Sequence, residues 1–170
     1  MINVDVTAGN FFYCVNHWFP QQSKTFCNAI ETDTNVWHQY SYVIDGSCVG
    51  EFRDTEDGKV LQTIKSTSLD NSFLDHSDLP KYETVSTEEG VTMIFFCPIN
   101  NSKPIAVEIK NAGTYDVTAT DKRITIVSII GPITANDKEL ITMQHAAVFP
   151  GKTAKLVVPK NGVCALVSYA

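Results

Sequence analysis

Two of the four histidines stand next to a tryptophan, and this repeated pair is the clearest candidate for chemistry in the sequence. The pairs are His17-Trp18 and Trp37-His38. If two neighbouring strands bring them together, the imidazoles could bind a metal ion or hold a planar ligand against an aromatic wall. The alternative is that each histidine is a partly buried residue with one hydrogen-bond partner. The sequence favours this second interpretation.

The other two histidines, His76 and His145, have weaker claims. His76 follows Asp75 and precedes Asp78 in an acidic segment, where carboxylates could hold a surface cation loosely. A segment of this composition is more typical of a solvated loop. We therefore expect His76 to lie in solvent and to do no chemistry.

No nucleophile or phosphate-binding motif is present. The chain has no Gly-x-Ser-x-Gly elbow, no cysteine in a known catalytic context, and no glycine-rich loop that runs into a helix. Lys122 and Arg123 are the only adjacent cations of the C-terminal half that could meet an anion, and a solvated turn is the alternative. We accordingly assign no catalytic, cofactor or metal residue. The six ligand or interface candidates are Trp18, Trp37, His17, His38, Lys122 and Arg123.

Composition limits the function classes. The 170 residues are 44% hydrophobic and carry a formal net charge of −6, which argues against a nucleic-acid partner. No apolar run approaches the roughly 20 residues of a membrane span, and the first residues have no secretion signal. Five separated cysteines without a C-x-x-C pair suggest reduced thiols. We expect cytoplasmic synthesis, no secretion and no membrane insertion.

Strands must position whatever site exists, because period-two patterns recur along the chain and no window shows an amphipathic helix. Turn pairs Asp57-Gly58 and Asn161-Gly162 each lie between two strand-like runs and predict two hairpins. Residues 66–80 are predicted as a long loop, with one helical turn at 68–74. The prediction is a single β domain over 1–170.

Charge divides this domain into two halves of opposite sign. Residues 1–90 contain fourteen acidic and five basic residues, whereas 91–170 contain five acidic and eight basic residues. Opposite faces could bring copies of the chain together head to tail, so a protein partner or self-association is expected. The alternative is that the two halves simply intermix within one sandwich.

The last third of the chain contains short strand-like runs separated by glycine and proline turns in a fixed order. The runs are Gly113-Thr114-Tyr115-Asp116-Val117-Thr118-Ala119, Ile124-Thr125-Ile126-Val127-Ser128-Ile129-Ile130-Gly131, Val148-Phe149-Pro150-Gly151, Val157-Val158-Pro159 and Ala165-Leu166-Val167-Ser168-Tyr169. This order resembles the second half of a cupin-type jelly roll and looks most like the small metal-independent pyrimidine/purine nucleoside phosphorylases. The resemblance implies an all-β fold, a cupin-like jelly roll or two-sheet antiparallel sandwich with little or no helix.

The resemblance also bears on metal binding. A metal-dependent cupin presents two histidines one residue apart, then a glutamate and a further histidine. Here His38 is followed by Tyr40 at the second position, and Glu51 comes too late after the turn. Because a divalent metal needs three or more convergent ligands, we expect no metal and no other cofactor.

Two functions of different classes follow. The first is a non-catalytic structural or interaction protein, a subunit of a larger assembly such as a viral capsid or tail decoration protein in a virion. The alternative is a metal-independent cupin enzyme that resembles a nucleoside phosphorylase and takes a small-molecule ligand. The missing catalytic motif favours the first. An enzyme would need a concave pocket with convergent polar groups, whereas a subunit needs a broad complementary face.

Overall fold

The computed structural model describes residues 2–8, 11–27, 40–68, 70, 73–76, 78–98 and 105–169. These residues form antiparallel strands joined by turns, and none of them is helical. Within the same residues, no helix is long and apolar enough to cross a membrane. The prediction of an all-β chain is therefore confirmed.

The chain divides into two compact units, residues 1–101 and 102–170. The first unit (unit 1) contains one sheet, in which the strand order is β1-β2-β8-β4-β7-β3 and β5 and β6 also pair with β4. Its strands are β1 (Ile2–Ala8), β2 (Phe11–Trp18), β3 (Gln22–Cys27), β4 (Tyr40–Arg53), β5 (Gln62–Thr67), β6 (Phe73–Asp75), β7 (Tyr82–Thr87) and β8 (Val91–Pro98).

Strand β4 is the central strand of unit 1, and its 14 residues pair with different strands along their length. The first half pairs with β8 and β6, and the second half pairs with β5 and β7. Between Val43 and Asp45 the register with β8 shifts, and Gly46 follows with a φ of 78°. A Cβ at Gly46 would lie 2.2 Å from the carbonyl oxygen of Gly90, so glycine is required at this close approach.

The shift in β4 changes which residues face inward. Side chains alternate between the two faces of a strand, so one extra residue reverses the alternation beyond it. Odd-numbered Ser41 and Val43 before the shift, and even-numbered Cys48 and Phe52 after it, consequently line the same interior cavity.

The second unit (unit 2) is a two-sheet antiparallel sandwich. One sheet has the order β10-β15-β12-β13 and the other β14-β11-β16-β9. The strands are β9 (Ile105–Lys110), β10 (Gly113–Ala119), β11 (Ile124–Ile130), β12 (Ile133–Ala135), β13 (Lys138–Leu140), β14 (His145–Val148), β15 (Lys152–Val158) and β16 (Val163–Tyr169). Val117 and Leu156 of the first sheet share a core with Ile126 and Leu166 of the second.

One of the two predicted hairpins forms. The turn at Asp57-Gly58 joins β4 to β5, and Phe52 pairs with Gln62. The prediction of a hairpin at Asn161-Gly162 is wrong, although Asn161 does adopt a φ of 67°. Strands β15 and β16 on either side of it belong to different sheets, so this turn crosses the sandwich instead of closing a ladder.

The long loop predicted for residues 66–80 is also corrected. Strand β5 continues to Thr67, and Phe73–Asp75 forms β6, which pairs with the first half of β4. The helical turn predicted at 68–74 is not seen in the described residues, where Phe73 and Leu74 belong to β6; residues 69, 71 and 72 lie outside the described residues. This pairing holds the residue after β6, which is His76, beside the cavity strands.

The opposite charges of the two halves follow the two units. Residues 1–101 keep all fourteen acidic and five basic residues of the N-terminal half, and 102–170 keep the five acidic and eight basic ones. The formal net charges are thus −9 and +3.

Candidate functional site

Unit 1 contains an interior cavity of about 100 Å³. Residues of five strands line it, and apolar and polar side chains occur in similar number. Those used below are Ser41, Cys48 and Phe52 of β4, Glu83 of β7, and Met93 and Phe95 of β8. Exposed Lys65 and Asp70 also line the cavity, so it has a polar side.

Three buried polar side chains contact one another at the edge of this cavity. Ser41 Oγ lies 2.9 Å from His76 Nε2, and Glu83 Oε2 lies 3.5 Å from His76 Nδ1. Ser41 is 8% exposed, and His76 and Glu83 are each 6% exposed. Ser41 and Glu83 both line the cavity. We call these three residues the Ser-His-Glu array.

The two contacts favour one tautomer of the imidazole. With Glu83 ionised, the carboxylate can only accept hydrogen bonds, so the tautomer with the proton on Nδ1 of His76 suits both contacts. Nε2 is then an acceptor, and the Ser41 hydroxyl donates to it. A serine hydroxyl that donates to a neutral imidazole, with a carboxylate behind the other nitrogen, is an arrangement that can move a proton from the serine.

His76 is neutral near neutral pH. Burial lowers its pKa from 6.5 to about 4, while the charge of neighbouring Asp75 acts in the opposite direction. The rings of Phe52 and Phe95 lie 6.0 Å and 6.4 Å from the imidazole, centroid to centroid, and account for its apolar surroundings. A neutral imidazole is the form that can accept a proton.

Gly50 of β4 makes room for the carboxylate. A Cβ at this position would lie 2.7 Å from Glu83 Oε1 and 3.1 Å from the Phe52 ring. Such contacts are too close, so a larger residue would force the carboxylate to move. The smallest residue is needed here for the approach of a side chain, not for an unusual φ.

The thiol of Cys48 is a second kind of nucleophile in the cavity wall, beside the serine hydroxyl. Burial first, and then the charge of Glu83, raise the pKa of its thiol to about 11. Its sulfur donates to Met93 Sδ at 3.7 Å. The thiol is therefore protonated at neutral pH, and only the thiolate is a strong nucleophile.

No family model matches the chain, and no curated protein matches it by sequence. Several solved structures do match. YhaK from Escherichia coli aligns with a TM-score of 0.66 at 11% identity over 99% of this chain and 93% of that chain. HutD from Pseudomonas fluorescens aligns with a TM-score of 0.60 at 11% identity over 99% and 87%. A cupin 2 conserved barrel domain protein from Leptotrichia buccalis aligns with a TM-score of 0.52 at 10% identity over 99% and 88%. The fold is a cupin-type jelly roll. At these identities the likeness concerns the fold alone.

A cupin-type fold raises the question of a metal in the barrel. In the described part of the chain, no three His, Cys, Asp or Glu side chains converge. At the cavity, His76 and Glu83 face each other, and the Cys48 thiol keeps its proton. These residues do not fit a divalent cation, which needs three or more ligands in their deprotonated forms.

None of the described residues singled out from the sequence belongs to the Ser-His-Glu array. Trp37 and His38 are outside the described residues. Trp18 is 1% exposed and packs edge-on against Phe26 in the core. His17 is exposed on β2, where Nδ1 lies 2.9 Å from Thr92 Oγ1.

The adjacent cations belong to unit 2. Lys122 is exposed, and Arg123 is half-buried in the turn before β11. Burial first, and then the charge of Arg123, lower the pKa of His145 on β14. The structure thus places Arg123 close to a histidine and not at the cavity.

Sequence reasoning missed the Ser-His-Glu array, and the assignment of His76 to a solvated loop is wrong. Two period-two signals were available. Leu74 and His76 lie two residues apart, on either side of the exposed Asp75, so they face the same way. Glu83 likewise lies two residues before the buried Val85 and faces the same side of its strand. No such signal exists for Ser41, because Tyr40, Tyr42 and Val43 around it are also buried and exposure does not alternate along this part of β4.

Proposed function

We propose that unit 1 is a metal-independent cupin-type enzyme module that binds a small polar molecule in its cavity and transfers a proton to or from it through Ser41 and His76. One observation carries the proposal. Ser41 and Glu83 lie on opposite nitrogens of a neutral, buried imidazole, and both also line a cavity. A buried polar network with a purely structural role has no need of a cavity beside it.

The size of the cavity limits the ligand. A dry cavity of about 150 Å³ is enough to admit benzene, and the volume here is about 100 Å³. A molecule or functional group of a few heavy atoms is therefore the best match. A nucleoside is much larger than benzene, so the geometry favours a smaller substrate than the one implied by the resemblance to nucleoside phosphorylases.

The experiment is a binding measurement with small polar probes. Saturation-transfer NMR on the whole chain would use formate, acetate, acetamide and glycolate, with and without a chelator. We expect at least one probe to bind, to bind equally well with the chelator, and to lose binding in His76→Gln and in Ser41→Ala.

His17→Gln is the matched control, because His17 is also a histidine of unit 1 with a hydroxyl partner, but it is exposed. Binding should be unchanged in this variant. The proposal is wrong if none of the probes binds, or if the cavity variants bind as well as the wild type.

A further inference from the structure

We propose that Ser41 is the nucleophile of an acyl-transfer centre that acts on esters with a short acyl chain; this inference rests on the function proposed above. The geometry supplies the three roles that such a centre needs. Ser41 Oγ is the attacking atom, His76 Nε2 at 2.9 Å is the base, and Glu83 at 3.5 Å from Nδ1 orients the imidazole. A long contact to the orienting carboxylate is common in unliganded sites and shortens when substrate binds.

Two other nucleophile types among the described residues, one thiol and one serine, each lack part of this combination. Cys48 lines the same cavity, but its hydrogen is donated to Met93 Sδ. Ser128 in unit 2 is fully buried, and its Oγ has no hydrogen-bond partner, so no base can take its proton. Ser41 is the serine that combines a base with access to a cavity.

The reaction balances with water as the only co-reactant. Ser41 Oγ attacks the ester carbonyl carbon while His76 Nε2 takes the hydroxyl proton. The carbon–oxygen bond to the leaving group then breaks, and His76 returns the proton to the departing alkoxide. Water next attacks the acyl-serine, again losing its proton to His76. The free acid leaves, and the proton returns to Ser41 Oγ.

The substrate class follows from the space around Ser41. The acyl group must enter a cavity of about 100 Å³ whose walls include Phe52 and Phe95. Formyl and acetyl groups have the right size, whereas an aromatic acyl group is larger than the available volume. The polar side formed by Lys65 and Asp70 is where an alcohol leaving group would meet water.

Methanesulfonyl fluoride is a suitable probe, because it is small and its reaction has the same first step. The serine oxygen bonds to sulfur, fluoride leaves, and the base takes the proton. We expect one methanesulfonyl group per chain, located at Ser41 by peptide mass spectrometry. Ser41→Ala should remain unmodified. Removing the base in His76→Gln should slow labelling by about 10²–10⁴-fold.

Two matched controls separate this result from general reactivity. Ser128 is a buried serine without a base and should stay unlabelled in the same digest. His17→Gln removes an exposed histidine and should label at the wild-type rate. Ser41→Cys keeps a nucleophile in place and should be acetylated at residue 41 by p-nitrophenyl acetate, which tests the site independently of the serine.

Glu83 is a positioning residue, so its test needs a readout that packing alone would not change. The ¹⁵N shifts of the His76 ring report which nitrogen carries the proton. We expect the Nδ1–H form in the wild type, loss of that preference in Glu83→Gln, and partial recovery in Glu83→Asp, with labelling rates in the same order.

The outcomes distinguish the two proposals. If a small probe binds at the cavity but neither Ser41 nor Cys at position 41 is modified, the nucleophile assignment is wrong and the proposed binding function stands. If no small probe binds and Ser41 is unmodified, both proposals fail. Labelling of Ser41 at the same rate in His76→Gln would also overturn the acyl-transfer centre.

Discussion

Lowering the pH should destabilise unit 1 through one buried histidine. The pKa of His76 is about 4 in the folded chain, because burial disfavours the charged imidazole, and its ordinary value is 6.5. Between these two values the unfolded chain binds the proton and the folded chain does not. The free energy of unfolding must therefore fall as the pH falls from about 6.5 to about 4.

The size of the effect follows from the two pKa values. Each pH unit between them is worth about 1.4 kcal/mol, so the gap between 6.5 and about 4 corresponds to about 3 kcal/mol. His76 is almost fully buried, so solvent screening does not reduce this figure substantially. A loss of about 3 kcal/mol is large against the ~5–15 kcal/mol of a typical folded protein.

The assay is urea denaturation followed by tryptophan fluorescence, which reports on unit 1 because both tryptophans, Trp18 and Trp37, belong to it. Carboxylates also titrate in this range, so the quantity to compare is the difference between wild type and His76→Gln. That difference should shrink by about 3 kcal/mol between pH 7 and pH 4. In His17→Gln the pH dependence should equal that of the wild type. The reasoning is refuted if His76→Gln and the wild type lose stability in parallel.

Three further predictions concern the site, the second unit and association. Gly50→Ala should push the Glu83 carboxylate away from His76 and cost about 1–3 kcal/mol; unchanged ¹⁵N shifts of the His76 ring and an unchanged urea midpoint would contradict it. Ser128→Ala should raise the free energy of unfolding by about 1 kcal/mol, because it removes a buried hydroxyl without a partner; circular dichroism in urea measures it, and a loss of stability would count against it. If the opposite net charges of −9 and +3 on the two units bring copies of the chain together, sedimentation should show association at low salt. This association should weaken as salt shortens the Debye length from about 10 Å at 0.1 M to about 3 Å at 1 M. A monomer at every salt concentration would contradict association through these charges.

The sequence was a good guide to strands and a poor guide to how they join. Alternating residues and the Asp57-Gly58 turn correctly indicated the β4–β5 hairpin, because the turn and its ladder are local. The Asn161-Gly162 turn has the same chemistry and the expected φ, yet it connects two sheets. Which sheet a strand joins depends on contacts distant in sequence, and the turn residues carry no information about them.

Predicting the candidate site from the sequence would have required contacts between residues that are even farther apart in the chain. His76 looked solvated because its neighbours are acidic, but pairing of Leu74 with Ser41 across β6 and β4 brings it inside. Ser41 and Glu83 lie 42 residues apart and meet only through this sheet. The prediction of an assembly subunit rested partly on the absence of a catalytic motif. Short catalytic motifs cannot reveal an array whose residues come from distant parts of the chain.

The position of the polar network is what makes it informative. Replacing buried polar groups with well-packed apolar residues is often neutral or stabilising, and Phe52, Phe95 and Met93 show that apolar side chains are accepted in the same wall. Side chains that line an open cavity also have fewer packing contacts than side chains of the close-packed interior. In unit 1 both costs occur at one place, where Ser41 and Glu83 face the cavity. Stability alone would favour apolar side chains at these positions, so a buried polar network that faces an open cavity supports the proposal that a molecule enters there.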